Sequence, residues 1–234
     1  MKTLTKVLRI MLPAICSLFW LSGAQAQTYG ENIFIIHDAV GQPDSTVVIY
    51  LEILNENWVV AFHMDLPLPD GFSYVNGSAI LNPARKINHL IQGSLLSGTN
   101  ILRIISFTLA GGPYIGNSGI IATFALNTPM QTADYLLVPD SVILGGINGD
   151  NVLSGVVNGT VYITPQGPVP GDANCDGLVN VNDVITTIHY VLGNIPKPFC
   201  FANADLDDDL EVDVTDVVGT VNIIISRRAV SYTH

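Results

Sequence analysis

One segment near the C-terminus occurs twice along the chain, and the two copies are offset by 33 residues. Each copy alternates oxygen-bearing side chains with other residues and then continues into an apolar run with helical spacing. Two copies of one unit can bury their apolar faces against each other, so we expect them to form a single small module. The matched positions are Asp172, Asn174, Asp176, Asp183, Thr187, Ile188 and Leu192 in the first copy and Asp205, Asp207, Asp209, Asp216, Thr220, Val221 and Ile225 in the second.

Each copy places oxygen ligands where a 12-residue calcium loop needs them, at positions 1, 3, 5, 7, 9 and 12, with position 7 using only its backbone carbonyl. Ten of the chain's 20 acidic residues lie between positions 172 and 216, and such a density requires a counter-ion. The sequence therefore predicts two calcium ions as cofactors. The predicted ligands are Asp172, Asn174, Asp176, Leu178, Asn180 and Asp183 in the first loop and Asp205, Asp207, Asp209, Glu211, Asp213 and Asp216 in the second.

Two positions depart from the EF-hand pattern. Position 12 is aspartate in both loops (Asp183 and Asp216) where the pattern has glutamate, so each loop must draw in for bidentate binding. Position 6 is Gly177 in the first loop, which permits a sharp turn, but Leu210 in the second. The second loop is therefore strained or turns differently, and we expect it to bind calcium more weakly.

Each loop leads into a predicted helix, over residues 184–192 and 217–226, whereas Pro168 and Pro170 occupy the place of an entering helix before the first loop. With this arrangement of two loops and two exiting helices, residues 171–228 resemble a dockerin of type I-like organisation. The resemblance implies a calcium-dependent module that binds a cohesin-bearing partner in complexes that degrade polysaccharides. It also implies partner-binding roles for Val181, Asn182, Ile188 and His189 in the first copy and for Val214, Thr215, Val221 and Asn222 in the second. These are not the Ser-Thr and Lys-Arg pairs of the clostridial type I pattern, so partner specificity does not transfer.

One cysteine lies within the first loop and another lies shortly before the second. Cys175 occupies position 4 of the first loop, and Cys200 lies five residues before the second loop. In an exported protein an even pair predicts a disulfide, here between Cys175 and Cys200. Two free thiols are the alternative, and zinc is disfavoured because it needs further ligands.

Residues 27–163 have the pattern of an all-β domain. Runs of β-branched and aromatic residues alternate with turn signals, and 21 glycines and 13 prolines suit many short strands. We therefore predict a mainly β chain, in which a jelly-roll β-sandwich precedes a small all-α EF-hand-like domain. Residues 164–170 contain three prolines and are predicted to form a stiff linker without a packed core. The clearest predicted strands are 46–54, 58–66, 101–109, 119–126 and 156–163.

This β domain resembles a cohesin in residues 61–68, 93–96 and 116–124, the last of which reads GNSGIIATF. The resemblance implies a second protein-binding module that receives a dockerin-bearing protein. A carbohydrate-binding jelly roll is the alternative, and it requires a planar row of exposed aromatic rings. Among the aromatic residues, Tyr74 and Tyr114 are expected to be exposed, whereas the strand positions of Phe62, Phe107 and Phe124 predict burial.

A catalytic role is not indicated. A glycosidase needs two carboxylates about 5 Å or about 6.5–9.5 Å apart in a cleft. The nearest candidates are Asp65 and Asp70, but Asp70 lies in a Pro-Asp-Gly turn that explains it structurally. The histidines His37, His63 and His89 have no metal-ligand spacing. We therefore expect no catalytic residue and no enzyme activity.

The N-terminus has the pattern of a bacterial signal peptide over residues 1–26, with a basic start, an apolar run and a small-x-small cleavage site. Cys16 lies in a poor lipobox, so cleavage rather than lipidation is expected. Removing this segment takes away three of the nine basic residues and leaves a net charge of −14, which disfavours nucleic acid as a partner. The apolar run is too short to span a membrane. We expect a secreted or cell-surface protein in which residues 229–234 form a tail.

Overall fold

The computed structural model describes residues 32–231, and the signal-peptide prediction, including Cys16, lies outside these residues. Within them, thirteen strands precede three helices. The strands are β1 (Asn32–Ile36), β2 (Ala39–Gly41), β3 (Thr46–Asn55), β4 (Val59–Pro67), β5 (Ser73–Tyr74), β6 (Ile80–Leu81), β7 (His89–Leu95), β8 (Ile101–Thr108), β9 (Ile120–Asn127), β10 (Asp134–Leu137), β11 (Ser141–Gly146), β12 (Gly155–Val157) and β13 (Gly159–Ile163), and the helices are α1 (Val181–Val191), α2 (Phe201–Ala204) and α3 (Val214–Ser231).

The strands form a β-sandwich (residues 32–163), as predicted for a mainly β chain. A six-stranded sheet has the order β12-β1-β3-β9-β5, with β6 also paired to β9; a four-stranded sheet has the order β11-β4-β8-β7; and a three-stranded sheet has the order β10-β13-β2. Alternate side chains of all three sheets meet in one apolar core. Burial of these side chains is the main contribution to the stability of the sandwich.

Three aromatic rings differ from their predicted burial. Phe62 and Phe124 lie in the core as predicted, but Phe107 is 38% exposed because its neighbour Ser106 takes the inward position on β8. Tyr74 and Tyr114 were expected to be exposed and are buried. The buried hydroxyl of Tyr114 is satisfied because it donates a hydrogen bond to Ser106 Oγ at 2.6 Å.

The outward face of the six-stranded sheet is covered by the helical module (residues 171–231), and this explains the continuous burial of β1. Ile33 and Ile35 pack with Val157 and Ile195 on this face, so β1 is buried on both sides. Residues 164–170 run along the sandwich on the way to the module. Val169 in this predicted linker is buried, and Thr164 N donates to Gly41 O at 2.9 Å.

Both long helices begin three residues earlier than predicted. Asn180 caps α1, since its side chain accepts a hydrogen bond from Asn182 N at 2.8 Å while Asp183 accepts one from Asn180 N at 2.8 Å. This reciprocal arrangement is a capping box. Asp213 accepts from Thr215 N in the same way at the start of α3. The predicted starts at 184 and 217 were wrong because Asn180 and Asp213 were interpreted only as calcium ligands and not also as helix caps.

Helix α3 continues to Ser231 and so takes in part of the segment expected to be a tail. The short helix α2 before the second loop was not predicted. Within residues 32–231, no helix is both long and apolar enough to cross a membrane.

Candidate metal centre and docking surfaces

The two acidic loops have the same backbone turns. Residues at position 4 adopt left-handed conformations, with φ of 60° at Cys175 and 59° at Asp208. Position 6 is also left-handed, with φ of 83° at Gly177 and 68° at Leu210. Leu210 therefore makes the turn that glycine makes in the first loop, and the second loop is strained rather than differently folded. An L-residue in this conformation costs about 1–2 kcal/mol.

In the first loop, the carboxylates at positions 1 and 12 are fixed by backbone donors of the loop itself. Asp172 accepts from Asp176 N at 3.0 Å and from Gly177 N at 2.9 Å. Asp183 accepts from Asn174 N at 3.1 Å through one oxygen and from Asn180 N through the other. The loop thus wraps around two buried carboxylates, which lie among the residues predicted to bind the first ion.

The second loop makes a similar set of contacts, but its position 12 carboxylate accepts from the N–H of position 2 instead of position 3. Asp205 accepts from Leu210 N at 3.1 Å through Oδ2, and Asp216 accepts from Leu206 N at 2.8 Å and Asp213 N at 2.9 Å. Asp205 is only 5% exposed, and its Oδ1 finds no hydrogen-bond donor among the described residues. A buried carboxylate oxygen without a donor is costly unless a cation neutralises it.

Carboxylate oxygens of Asp205, Asp207 and Asp209 lie within 4.8 Å of one another. Burial raises the pKa of Asp205 to about 6, and repulsion from Asp216 and Asp209 adds to that effect. Burial likewise raises the pKa of Asp172 and of Asp183. An all-oxygen set with clustered negative charge fits a hard cation such as calcium, which would supply the missing positive charge.

The remaining predicted ligands lie on the same loops. Asn180 and Asp213 at position 9 also cap the helices that follow. Leu178 and Glu211 at position 7 each donate a backbone N–H to the position 5 carboxylate, at 2.8 Å in both loops. Positions 7 and 9 therefore make matched hydrogen bonds in the two loops.

A disulfide joins Cys175 and Cys200, with the two Cα atoms 5.8 Å apart. It connects the first loop to the segment that leads into α2 and the second loop. The structure therefore links the two repeats covalently, at the place where the sequence predicted the bond.

Two apolar stripes on the helical module face solvent. Along each long helix, four largely exposed apolar residues recur at intervals of four, three and four residues, which places them on one helical face. The stripes correspond through the sequence repeat, and Asn182, His189, Thr215 and Asn222, which were predicted to bind a partner, are next to stripe residues in the sequence. The stripe residues are Val181, Ile185, Ile188 and Leu192 on and just after α1, and Val214, Val218, Val221 and Ile225 on α3, of which Val221 is the only half-buried one.

The outward face of the four-stranded sheet is also apolar. Phe107 pairs with Leu90 across β8 and β7, and His63 lies between Ile105 and Ile143 on the neighbouring strands. Four apolar side chains of this face are exposed. We call them the sheet patch: Leu90, Ile105, Phe107 and Ile143.

Asp65, His63 and His89, which were considered for catalysis, contact other side chains of the sandwich. Asp65 accepts two hydrogen bonds from Arg103, at 2.7 and 2.5 Å, and these lower the pKa of Asp65. His63 contacts Asp65 at 2.9 Å. His89 stacks on Tyr114 with ring centroids 3.9 Å apart.

The sequence analysis missed a buried polar network beneath the helical module. His37 Nε2 lies 2.8 Å from Glu52, and Tyr190 donates to the same carboxylate at 2.8 Å. Asp38 accepts from Lys197 Nζ at 2.9 Å. The partners are 15 to 159 positions apart along the chain, so no local spacing identifies them.

No family model and no curated protein matches the chain. Similar solved structures include a non-cellulosomal cohesin from the hyperthermophilic archaeon Archaeoglobus fulgidus, with 16% identity and a TM-score of 0.48 over 58% of this chain and 94% of that chain. A chain of a type I cohesin–dockerin complex from Clostridium thermocellum is similar at 11% identity and a TM-score of 0.49, over 58% of this chain and 100% of that one. A type I cohesin from Pseudobacteroides cellulosolvens has 16% identity and a TM-score of 0.47, with 57% and 92% covered. Each value describes a partial likeness of fold.

Proposed function

We propose that this chain is an exported, non-catalytic assembly protein. Its helical module is a dockerin-like module that binds two calcium ions and docks on a cohesin-bearing partner in a polysaccharide-degrading system. Its β-sandwich is a second, cohesin-like module that receives a dockerin-bearing protein. The observation that carries the proposal is the pair of loops with matched turns and inward carboxylates, each followed by a helix with an exposed apolar stripe.

The calcium sites are tested by isothermal titration calorimetry on the full chain. The variants Asp183→Ala and Asp216→Ala each remove the position 12 ligand of one loop, so each should bind one ion fewer and the double variant should bind none. Asp70→Ala, which removes an exposed carboxylate in a turn of the sandwich, is the control and should bind as the wild type does. Extracellular sites of this kind bind at about 10⁻⁴–10⁻³ M at the weak end. Unchanged calcium binding by the double variant would refute the sites.

The docking role is tested on the apolar stripes. A charge at the centre of a docked interface costs about 2 kcal/mol or more, or about 30-fold in affinity. The double variant Ile185→Asp with Val218→Asp, which lies within the two stripes and outside the 12-residue loops, should therefore lose cohesin binding in the presence of calcium. Ile87→Asp places the same charge at an exposed apolar residue of the sandwich and should have no effect. Equal cohesin binding by both variants would show that the stripes are not the docking surface.

The sandwich is tested separately through the sheet patch. The four exposed apolar side chains lie on one face of β7, β8 and β11 and are bordered by the Asp65–Arg103 pair, an arrangement typical of a protein-binding face with a polar rim. Phe107→Ser should reduce capture of dockerin-bearing proteins. The alternative polysaccharide role has weaker support because Tyr74 and Tyr114 are buried, although Trp58 is 65% exposed. Polysaccharide binding that is lost in Trp58→Ala would favour that alternative.

A further inference from the structure

We propose that the β-sandwich holds the helical module in its calcium-binding geometry, so that calcium binding and packing of the module on the sheet stabilise each other. This inference rests on the proposed calcium sites and adds a role for the sandwich in them. In this proposal Asp38 and its hydrogen-bond partners position the calcium-binding loops of the module and do not bind the ions themselves.

The module completes its apolar core with residues of the sandwich. Ile120 of β9 is fully buried within a cluster that otherwise belongs to the module, and Tyr50 of β3 packs against the ring of Phe201 at 5.0 Å between centroids. The same cluster includes Ala173 at position 2 of the first loop and Val212 at position 8 of the second. Both loops therefore depend on one core that the sheet helps to form. We call it the junction cluster: Ile120, Ala173, Phe199, Phe201, Ala204 and Val212, with Tyr50 and Tyr190 at its edge.

Asp38 forms hydrogen bonds with Lys197 and Phe199 in the segment that precedes the second loop, and we call this contact the clamp. Asp38 is only 2% exposed and accepts hydrogen bonds from Phe199 N and Thr160 N, both at 2.8 Å, besides the bond from Lys197. All three partners are hydrogen-bond donors, so only a side chain with two acceptor oxygens can satisfy them. An asparagine there would point its amide N–H₂ at a donor in either orientation.

Glu52 of β3 makes a second polar contact between the sheet and the module. Its carboxylate accepts from Tyr190 of α1, from His37 and from Gly119 N, the last at 3.1 Å. The His37 ring also lies 5.1 Å from the ring of Phe201. The sheet thus contacts α1 and α2 at the same time, with both polar and apolar groups.

The segment held by Asp38 continues into α2, and α2 is connected to the first ligand of each loop. Helix α2 ends one residue before Asp205. Its Asn203 side chain donates to Asp172 O at 3.0 Å, and Gly171 N donates to Asn203 O at 2.7 Å. Cys200 N donates to Ala173 O at 3.0 Å. Fixing α2 on the sheet therefore fixes the backbone at position 1 of both loops.

Preorganisation of this kind raises affinity because less of the binding free energy is used to order the loops. Coupling is reciprocal, so calcium must also stabilise the sheet that holds the module. If the module folded independently of the sandwich, EDTA would unfold the C-terminal helices and leave the sandwich intact. The junction cluster instead predicts that the sheet beneath the module loses protection as well.

The test compares two isosteric substitutions of ion-paired aspartates in the full chain. Asp38→Asn disrupts the clamp, whereas Asp65→Asn neutralises an equivalent carboxylate on the opposite sheet, where it pairs with Arg103. Calcium titration should show affinity weakened by about five-fold or more in Asp38→Asn, the lower end of typical coupling, and changed less than two-fold in Asp65→Asn. As a second measurement, hydrogen exchange of the wild type should show that calcium protects amides of β1 and β3 but not those of β7 and β8.

Calcium affinity in Asp38→Asn that matches the wild type, or calcium protection absent from β1 and β3, would overturn the coupling while leaving the calcium sites in place. A wild-type chain that takes up no calcium would overturn the sites and the coupling with them. Weakening in Asp38→Asn together with protection of β1 and β3 is the result that supports the proposal.

Discussion

Replacing Leu210 with glycine should strengthen the second calcium site. Leu210 has φ of 68°, which costs an L-residue about 1–2 kcal/mol, whereas glycine adopts this conformation without steric strain. Glycine offsets part of that gain because it loses about 0.5–1 kcal/mol more conformational entropy when it is ordered. The net gain is about 0.5–1 kcal/mol, or about two- to five-fold in calcium affinity.

The assay is calorimetric titration of calcium into the full chain, with the second site assigned as the one that Asp216→Ala removes. Leu210 also lines a cleft of about 330 Å³ between the module and the sheet, so its side chain makes contacts that glycine lacks. Leu210→Ala is the matched control, because it removes most of the side chain and keeps the strained φ. Leu210→Gly should therefore bind calcium more tightly than Leu210→Ala does. Equal or weaker binding by the glycine variant would refute the strain argument.

Three further predictions follow from the same geometry. Gly177→Ala should weaken the first site by about 1 kcal/mol, measured by the same titration, because a Cβ at Gly177 meets nothing within 4 Å and only the φ of 83° opposes it; unchanged affinity would contradict this. Cys200→Ser should lower the free energy of unfolding by roughly 3 kcal/mol, measured with urea, because it opens a loop between residues separated by 25 positions, and thiol titration should find no free thiol at Cys175 in the native wild type. Burial raises the pKa of Glu52, but hydrogen bonds from His37, Tyr190 and Gly119 N outweigh it and hold the pKa below 4.5. The stability that Glu52 contributes is therefore present above about pH 4.5 and is lost as the pH falls through the lower folded-state pKa. Urea unfolding of Glu52→Gln should show a smaller loss on acidification than the wild type shows; parallel pH profiles would contradict this.

The loops were the most predictable part of this chain, because a ligand set within 12 residues is a local pattern. The spacing of Asp172 to Asp183 and its repetition at Asp205 to Asp216 indicate both the turns and the inward carboxylates. The spacing did not decide between strain and a different turn at Leu210, since that depends on how the whole loop closes. The helix starts were misplaced because Asn180 and Asp213 serve as both loop residues and caps.

Burial within the sandwich was predicted less well. The side-chain direction of Phe107 depends on the register of β8 against β4 and β7, and the eight residues of β8 have apolar side chains on both faces of the strand. The junction between module and sheet was not predicted at all. Asp38 and Glu52 look like ordinary strand residues, and their partners Lys197 and Tyr190 lie more than a hundred positions away. Tertiary contacts of this kind leave no periodic signal in the sequence.

The central claim is that the repeated segment is a two-ion calcium module, and native mass spectrometry of the full chain tests it most directly. At millimolar calcium the wild-type protein should carry two calcium ions, Asp183→Ala and Asp216→Ala should each carry one, and the double variant should carry none. A wild-type chain that carries no calcium under these conditions, or a double variant that still carries two ions, would contradict the account.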